Sequence, residues 1–238
     1  DPGGVTATTT TTSVTVTGLT NGTAYTFTVT ATNAIGPSGP SIPSSAVSPL
    51  NTSPTANRET VSTDEDTSVT IGLSGSDIDG DTLTFSIVIG VSNGTLGSVT
   101  SVDGTSATVL YTPTGDYYGS DSFTYRRYDG EDYGSSATAT ITVTSINDVP
   151  LAVSQTLSGT EEVSLSITLS GTDVEGSSLT FTILGVPLYG SLSSLVSTGT
   201  STADTTYTPN GDFYGSDSFT FKVNDGTVDS NIATVTIT

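Results

Sequence analysis

The sequence predicts an all-β chain built from tandem β-sandwich domains, and three observations lead to this fold class. Short runs of Thr, Val, Ile and aromatic residues are separated by Gly, Ser and Asn, which is typical of strands joined by tight turns. No stretch long enough for a helix places apolar residues at the helical period. A phrase that begins at Thr112, TPTGDYYGSDSFTY, returns at Thr208 as TPNGDFYGSDSFTF, an interval of 208 − 112 = 96 residues.

The 96-residue interval applies to far more than this phrase. Without any gap, DEDTSVTIGLSGSDIDGDTLTFSI from Asp64 aligns with TEEVSLSITLSGTDVEGSSLTFTI from Thr160. We therefore expect two copies of one domain, the first repeat at residues 51–146 and the second repeat at 147–238. A period of this length is that of a two-sheet sandwich rather than of a solenoid. Seven strands are predicted in the first repeat, near 59–63, 68–74, 82–89, 95–101, 106–111, 121–128 and 136–144.

The composition excludes several classes of function. The chain has 24 acidic residues against four basic ones and a net charge of −20. Such a chain repels phosphate backbones and anionic membranes, so we expect no nucleic-acid partner and no direct membrane insertion, whereas divalent cations should be attracted. Cys, His, Met and Trp are absent, which removes thiol nucleophiles, imidazole bases and zinc sites with Cys or His ligands. We therefore expect no enzymatic activity.

Residues 1–50 do not fit the 96-residue repeat. The stretch SVTVTGLTNGTAYTFTVTATNAIG resembles the last strands of a fibronectin type III domain, and GLTNGTAY within it has a tyrosine-corner pattern. The residues that carry this resemblance are Leu19, Tyr25, Ala31, Asn33 and Gly36. Three or four strands cannot close a sandwich, so we expect this partial domain to expose an edge that another chain could complete.

The two repeats resemble the cadherin-like, immunoglobulin-fold repeats of large bacterial surface adhesins. The resemblance is carried by EDTSVTI from Glu65, DIDGDTLTF from Asp77, YYGSDSFTY from Tyr117 and the closing IND at Ile146. It implies an extracellular array of repeats joined end to end in an extended rod, often calcium-dependent. The second repeat departs from this pattern, because Glu175 stands at the position of Asp79 and Ser177 at that of Asp81.

The strand order of a seven-strand sandwich places the acidic loops at its two ends. The loops after the second and sixth strands should gather Asp77, Asp79, Asp81 and Asp129 at the N-terminal end of the first repeat. We predict that a second set converges where the repeats join, and that it consists of Glu65, Asp66, Asp116, Asn147, Asp148, Asp173, Glu175 and Asp225. Ca²⁺ binds six to eight oxygen ligands, mostly carboxylate and carbonyl. Both sets are therefore predicted calcium sites.

Each of these acids also has a purely structural interpretation. Asp-Gly is a turn signal wherever it occurs, and exposed Asp is ordinary in an acidic protein. For Asp121 and Asp217 in GSDSF, a structural hydrogen-bonding role is favoured over metal binding. Asp116 and Asp212 fit a turn and a ligand about equally well.

Taken together, these features predict a non-catalytic stalk of a cell-surface adhesin, stiffened by calcium between its domains. The expected partners are neighbouring repeats of the same longer chain, and another chain could complete the exposed edge of residues 1–50. Two alternatives remain open. One is a subunit of a self-assembling extracellular filament or surface layer, and the other is a spacer module of a secreted polysaccharide hydrolase.

Overall fold

The computed structural model describes residues 4–238, and every regular element within them is a β-strand. In these residues no helix is long and apolar enough to span a membrane. The chain forms two compact units. The first comprises the described residues up to Thr114 together with Gly119–Val143, and the second comprises Gly115–Tyr118 and Thr144–Thr238.

The N-terminal segment is an irregular hairpin. Strands β1 (Thr32–Asn33) and β2 (Gly36–Pro37) form its tip, and Tyr25 pairs with Val47 farther down. Between these points the returning arm has Pro and Ser every third residue, and its seryl Oγ atoms accept backbone N–H groups of the facing arm. Buried Tyr25 accepts a hydrogen bond from the Thr20 N–H at 3.0 Å, so the predicted tyrosine corner is present.

The first repeat is a sandwich of two sheets. One sheet has the order β4-β11-β10-β6, and the other has the order β3-β5-β9-β7, with β8 also paired to β9. The strands are β3 (Thr55–Ala56), β4 (Glu59–Asp64), β5 (Val69–Ser76), β6 (Thr84–Ile89), β7 (Gly94–Leu96), β8 (Thr100–Ser101), β9 (Ser106–Pro113), β10 (Gly119–Tyr128) and β11 (Ala137–Thr144).

Alternation along the strands builds the core of this sandwich. Every second residue of a strand points to the same face, and on β10 the inward positions include Phe123 and Tyr125, both buried. The next inward position is Arg127, which is also fully buried and donates to the carbonyl oxygen of Thr55. The start of the repeat is thereby attached to the buried interior of the sandwich.

The second repeat reproduces this architecture. Its sheets have the orders β13-β20-β19-β15 and β12-β14-β18-β16, with β17 also paired to β18. The strands are β12 (Leu151–Ala152), β13 (Gln155–Leu157), β14 (Leu165–Thr172), β15 (Thr180–Gly185), β16 (Gly190–Leu192), β17 (Val196–Ser197), β18 (Thr202–Pro209), β19 (Asp217–Asn224) and β20 (Ala233–Ile237). Strands β14 to β18 begin and end 96 residues after β5 to β9. The pairing of β6 with β10 skips Val88, and the pairing of β15 with β19 skips the equivalent Leu184.

The all-β prediction is confirmed, and the predicted strands are present with two corrections. The strand expected near 95–101 is two short strands, β7 and β8, which meet β9 on either side of a break at Gly97. The short first strands β3 and β12 were not predicted. Two residues are too few to show an alternating pattern in the sequence.

Candidate metal centre

The acidic loop between β5 and β6 is folded around one carboxylate. Oδ1 of Asp77 accepts the backbone N–H groups of Asp79, Gly80 and Asp81 at 2.8, 3.0 and 3.4 Å. Gly80 has φ +83°, a conformation that residues with a Cβ rarely adopt. This turn brings one carboxylate oxygen each of Asp77, Asp79 and Asp81 within 4.8 Å of one another. The sequence-predicted cluster therefore exists at the N-terminal end of the first repeat.

The residues that lead into the first repeat are tied to this loop. The backbone N–H of Thr52 donates to Asp79 Oδ2 at 2.7 Å. The Asn51 amide donates to Asp129 Oδ2 at 2.9 Å, and its own oxygen accepts from the Asn21 amide at 3.1 Å. Asp129 and the DIDGD loop therefore lie at the same end of the sandwich, and residues 51–52 connect them.

Asp129 is buried, and its surroundings favour the carboxylate form. Burial alone raises its pKa, but the N–H of Asp132, the side chain of Asn51 and the N–H of Glu131 donate to it and bring the net pKa below the ordinary value. The group thus stays an anion with two oxygens fixed in direction.

The same hydrogen-bond pattern occurs in the second repeat at positions 96 residues later. The equivalent bonds run from Asp148 N to Glu175 Oε2 at 3.1 Å, from the Asn147 amide to Asp225 Oδ2 at 2.7 Å, and from Ser177 N to Asp173 Oδ1 at 2.7 Å. The pKa of Asp225 is held well below its ordinary value, chiefly by the N–H of Val228 and then by the amide of Asn147. We call these two arrangements the first and second acidic half-sites.

Several carboxylate oxygens in the half-sites lack a donor. Among the described residues, no hydrogen-bond partner reaches the buried Oδ2 of Asp77, Oδ2 of Asp173 or Oε1 of Glu175. Buried polar atoms are normally satisfied by protein, water or an ion. Lys222–Asp229 is the one ion pair within residues 4–238, so basic side chains do not neutralise either half-site.

The two half-sites distribute their charge differently. The carboxylate that Asp81 contributes to the first half-site is absent at Ser177, but Asp148 replaces Thr52 in the linker of the second half-site. The number of carboxylates is therefore maintained, and one of them moves from the loop to the linker. The 96-residue alignment shows this exchange, yet it is easily missed when the DIDGD motif is considered alone.

The remaining predicted ligands fall into turns. Asp66 and Asp116 have φ values of 57°, and the equivalent Glu162 and Asp212 have 59° and 56°. Acids at these positions therefore have a turn role in both repeats. Glu65 is buried. Its contribution and those of Asp66 and Asp116 to a metal site stay predictions from the sequence.

The structural role predicted for Asp121 and Asp217 is confirmed. The Asp217 carboxylate accepts the N–H groups of Leu188 and Tyr189 and the hydroxyl of Tyr207, at 3.0, 2.9 and 2.9 Å. Asp121 makes the equivalent contacts in the first repeat. These aspartates join the corner before β10 or β19 to the loop before β7 or β16.

Comparison with solved structures finds several similar chains. Extracellular cadherin domains 3–6 of protocadherin gamma B2 share 12% identity and a TM-score of 0.50, over 77% of this chain and 46% of that one. Domains EC1-2 of human mucin-like protocadherin share 14% identity and a TM-score of 0.48, over 77% and 96%. An endo-fucoidan hydrolase of glycoside hydrolase family 107 shares 21% identity and a TM-score of 0.37, over 90% of this chain and 33% of that one. This chain thus spans about a third of the length of that hydrolase.

Sequence families give the more specific result. No curated protein shows a significant match. The fibronectin type III domain family matches residues 2–47, and the bacterial Ig domain family matches residues 51–144 and 147–238. Domains of both families are typically non-catalytic modules of extracellular proteins. Since the two Ig matches together cover well over half of the sequence, the chain belongs to the bacterial Ig domain family, with two tandem members that follow a fibronectin type III segment.

Proposed function

We propose that this chain is a non-catalytic, extracellular spacer of a large cell-surface adhesin, and that calcium stiffens its domain junctions. The observation that carries the proposal is the recurrence of one acidic half-site at the N-terminal end of both repeats. In each, a buried aspartate oxygen (Asp77 or Asp173) has no donor within the described residues. A turn needs only the Oδ1 contacts, so a structural role leaves these oxygens unexplained.

The ligand chemistry of the half-sites fits Ca²⁺. All the ligand atoms that the half-sites offer to a metal are carboxylate, amide or backbone oxygens. Hard divalent cations prefer such ligands, which suit neither zinc nor copper. In the first half-site Asp77, Asp79 and Asp81 would hold the ion with Asp129 close by. In the second half-site the set is Asn147, Asp148, Asp173, Glu175 and Asp225. The bound ion would supply the positive charge that neighbouring basic residues do not.

The position of the half-sites explains why binding would stiffen the chain. Asn147 and Asp148 belong to the linker, whereas Asp173, Glu175 and Asp225 belong to loops of the second sandwich. An ion that shares these ligands holds the linker against the sandwich. Free calcium at 100-fold its dissociation constant stabilises the bound arrangement by about 2.7 kcal/mol.

Titration calorimetry of the whole chain with Ca²⁺ tests the proposal. We expect Asp77→Asn to remove binding at the first half-site and Asp173→Asn to remove it at the second, with each variant leaving the other half-site intact. Asp103→Asn is the matched control, because Asp103 also accepts a backbone N–H in a turn, from Thr105 at 2.7 Å, but lies outside both half-sites. If the wild-type chain gives no heat of binding on titration with Ca²⁺, the metal assignment is wrong.

Small-angle scattering tests the mechanical part separately. The maximum dimension of the whole chain in calcium should exceed its average in chelator, since the linkers gain freedom when the ion leaves. The far-ultraviolet circular dichroism should stay unchanged, because the sandwich cores contain none of the proposed ligands. Calcium binding without any change in scattering would leave the metal sites standing and refute the stiffening.

A self-assembling filament subunit is the second candidate, and one observation favours it. In the N-terminal hairpin Val29, Ile35 and Ile42 are 70%, 96% and 89% exposed, and within residues 4–50 no second sheet covers them. Large apolar side chains that no sheet covers are available for contact with another chain. Sedimentation velocity distinguishes the candidates. A filament subunit associates as its concentration rises, and Ile42→Ser should weaken that association, whereas a spacer stays monomeric.

A further inference from the structure

A tight turn in the N-terminal segment fixes the position of Asn21. The N–H of Thr23 donates to the carbonyl oxygen of Thr20 at 3.3 Å, and Gly22 between them has φ +73°. The hydroxyl of buried Tyr25 accepts the N–H of Thr20 at 3.0 Å and so anchors the turn. The tyrosine corner therefore determines where the Asn21 side chain lies.

Asn21 and Asn51 form an amide relay that ends on the first repeat. The Asn21 amide donates to Oδ1 of Asn51 at 3.1 Å. The NH₂ group of Asn51 donates to Asp129 at 2.9 Å and to Asp132 at 3.3 Å. Ionised carboxylates accept hydrogen bonds and cannot donate them, so the NH₂ group of Asn51 must face the two aspartates and its oxygen must face Asn21. Both ends of the Asn51 amide are thereby engaged with protein groups.

Both ends of the amide relay are anchored in folded structure. Beside the turn, the N–H of Gly22 donates to the carbonyl oxygen of Pro49 at 2.8 Å, so the backbone of the linker is held as well. At the far end, Asp129 is buried, and the N–H groups of Glu131 and Asp132 donate to it at 2.8 and 2.6 Å. The amide bonds of the relay therefore form between groups that are already in position.

The second repeat has only part of this relay. The equivalent residue Asn147 directs its NH₂ group to Asp225 at 2.7 Å and to the carbonyl oxygen of Asp148 at 3.0 Å. No group within the described residues donates to Oδ1 of Asn147. Asn147 is also exposed, whereas Asn51 is half-buried. The amide oxygen of Asn147 is therefore available to a cation, while that of Asn51 already accepts from Asn21.

We propose that the amide relay of Asn21 and Asn51 holds the linker into the first repeat rigid without any metal. It consists of protein groups alone, and it leaves no side-chain oxygen of Asn51 for an ion. In the linker into the second repeat, Asn147 offers its oxygen instead, so calcium adds more rigidity there. The relay stands on its hydrogen bonds, and only this comparison of calcium effects rests on the proposed function.

Backbone amide relaxation of the whole chain in chelator tests the relay. We expect order parameters of about 0.85, those of rigid backbone, for residues 51 and 52, and lower values for the equivalent residues 147 and 148. Asn21→Ala should lower the values at 51 and 52 to about those at 147 and 148, because it removes the donor to Asn51. The turn itself tolerates alanine, since only its Gly22 has a positive φ.

Asn33→Ala is the matched control. Asn33 also fixes a turn in the N-terminal segment, through the N–H groups of Ile35 and Gly36, but it does not touch the linker. We expect this variant to leave the order parameters of residues 51 and 52 unchanged. Equal order parameters in the two wild-type linkers, no fall in Asn21→Ala, or the same fall in Asn33→Ala would each overturn the proposal.

Asn51→Asp separates the relay from the calcium function. A carboxylate at this position has no N–H groups and faces Asp129 and Asp132 as a like charge, so the linker should loosen in chelator. If the first half-site binds Ca²⁺, the added carboxylate supplies a further ligand, and the order parameters of residues 51 and 52 should recover. A linker that loosens and does not recover supports the relay and contradicts the calcium function. A linker that stays rigid in chelator contradicts the relay.

Discussion

Replacing Asp217 by Asn removes the anion at the centre of the corner in the second repeat. The carboxylate is buried, and its two oxygens together accept three backbone N–H groups and the hydroxyl of Tyr207. Oδ1 accepts from Leu188 and Ser218, and Oδ2 accepts from Tyr189 and Tyr207. Asn has one oxygen and one NH₂ group. Whichever way its amide turns, the NH₂ group faces at least one backbone N–H.

The cost follows from this count. One buried N–H left without an acceptor costs about 1–3 kcal/mol, and the bonds that remain lose their charge assistance. We expect Asp217→Asn to lower the free energy of unfolding of the second repeat by about 2–4 kcal/mol. A domain of this size is stable by only about 5–15 kcal/mol, so the loss is measurable by urea titration.

The pH dependence of the free energy of unfolding is a second test of the same hydrogen-bond network. Burial raises the pKa of Asp217, but the N–H groups of Tyr189, Leu188 and Ser218 lower it by a larger amount. The net pKa therefore lies below its ordinary value of 3.8. A group whose pKa is lowered by folding contributes stability above its unfolded pKa and loses it as the pH falls through the folded pKa. The difference between wild type and Asp217→Asn should therefore be full at neutral pH and shrink below about pH 3.8.

Urea unfolding followed by resolved amide signals of each repeat is the assay, since the chain contains no Trp. Asp121→Asn is the matched variant, because Asp121 makes the equivalent contacts in the first repeat and should shift that transition instead. Asp103→Asn, in an exposed turn, should shift neither. A loss below about 0.5 kcal/mol in Asp217→Asn, the range of ordinary surface changes, would show that the corner does not depend on this carboxylate.

The positions of the half-site residues could be predicted because they depend on strand order alone. Asp77 and Asp129 follow the second and sixth long strands, and in an antiparallel sandwich these strands end on the same side. The contribution of Asn51 and Thr52 was not predicted, since a linker residue shows its role only when its hydrogen bond to a loop is seen. The gapless alignment of NTSP at Asn51 with NDVP at Asn147 already contains that signal.

Arg127 shows where the sequence pattern is insufficient. Strand alternation places it inward with Phe123 and Tyr125, but charged residues are almost never fully buried without a partner, so composition argues for an exposed position. Its burial depends on contacts that are distant in sequence. The side chain reaches the Thr55 carbonyl, lies 5.2 Å from the centre of the Phe85 ring, and occupies the space left by the missing Cβ of Gly75. None of these can be seen from periodicity.

Two further predictions concern this buried chemistry. Burial, followed by the hydrogen bond to Asp217, raises the pKa of Tyr207 from 10.0 to about 12. Folding therefore favours the neutral phenol, and the stability it contributes should be lost as the pH rises from 10 towards 12. Tyr207→Phe should remove this part of the alkaline destabilisation, as measured by Tm against pH. A variant whose Tm falls with pH in the same way as that of the wild type would contradict the prediction. The last prediction is that Arg127→Met leaves the first repeat as stable or raises its free energy of unfolding by about 1–4 kcal/mol, as replacement of a buried charge by an apolar residue of similar volume often does. Val223 holds this position in the second repeat, close to Gly171 as Arg127 is to Gly75. An apolar side chain is therefore already buried at the equivalent place in the same fold. Burial lowers the pKa of Arg127, and its Nε and Nη2 have no hydrogen-bond partner within the described residues. The bond to Thr55 must then offset a large desolvation cost. If urea unfolding instead shows a loss of more than about 2 kcal/mol, the attachment of β3 by Arg127 is worth more than that cost. The buried arginine would then be a stabilising element of the first repeat, and the valine of the second would depend on the separate contacts of Asn231 with Ala152.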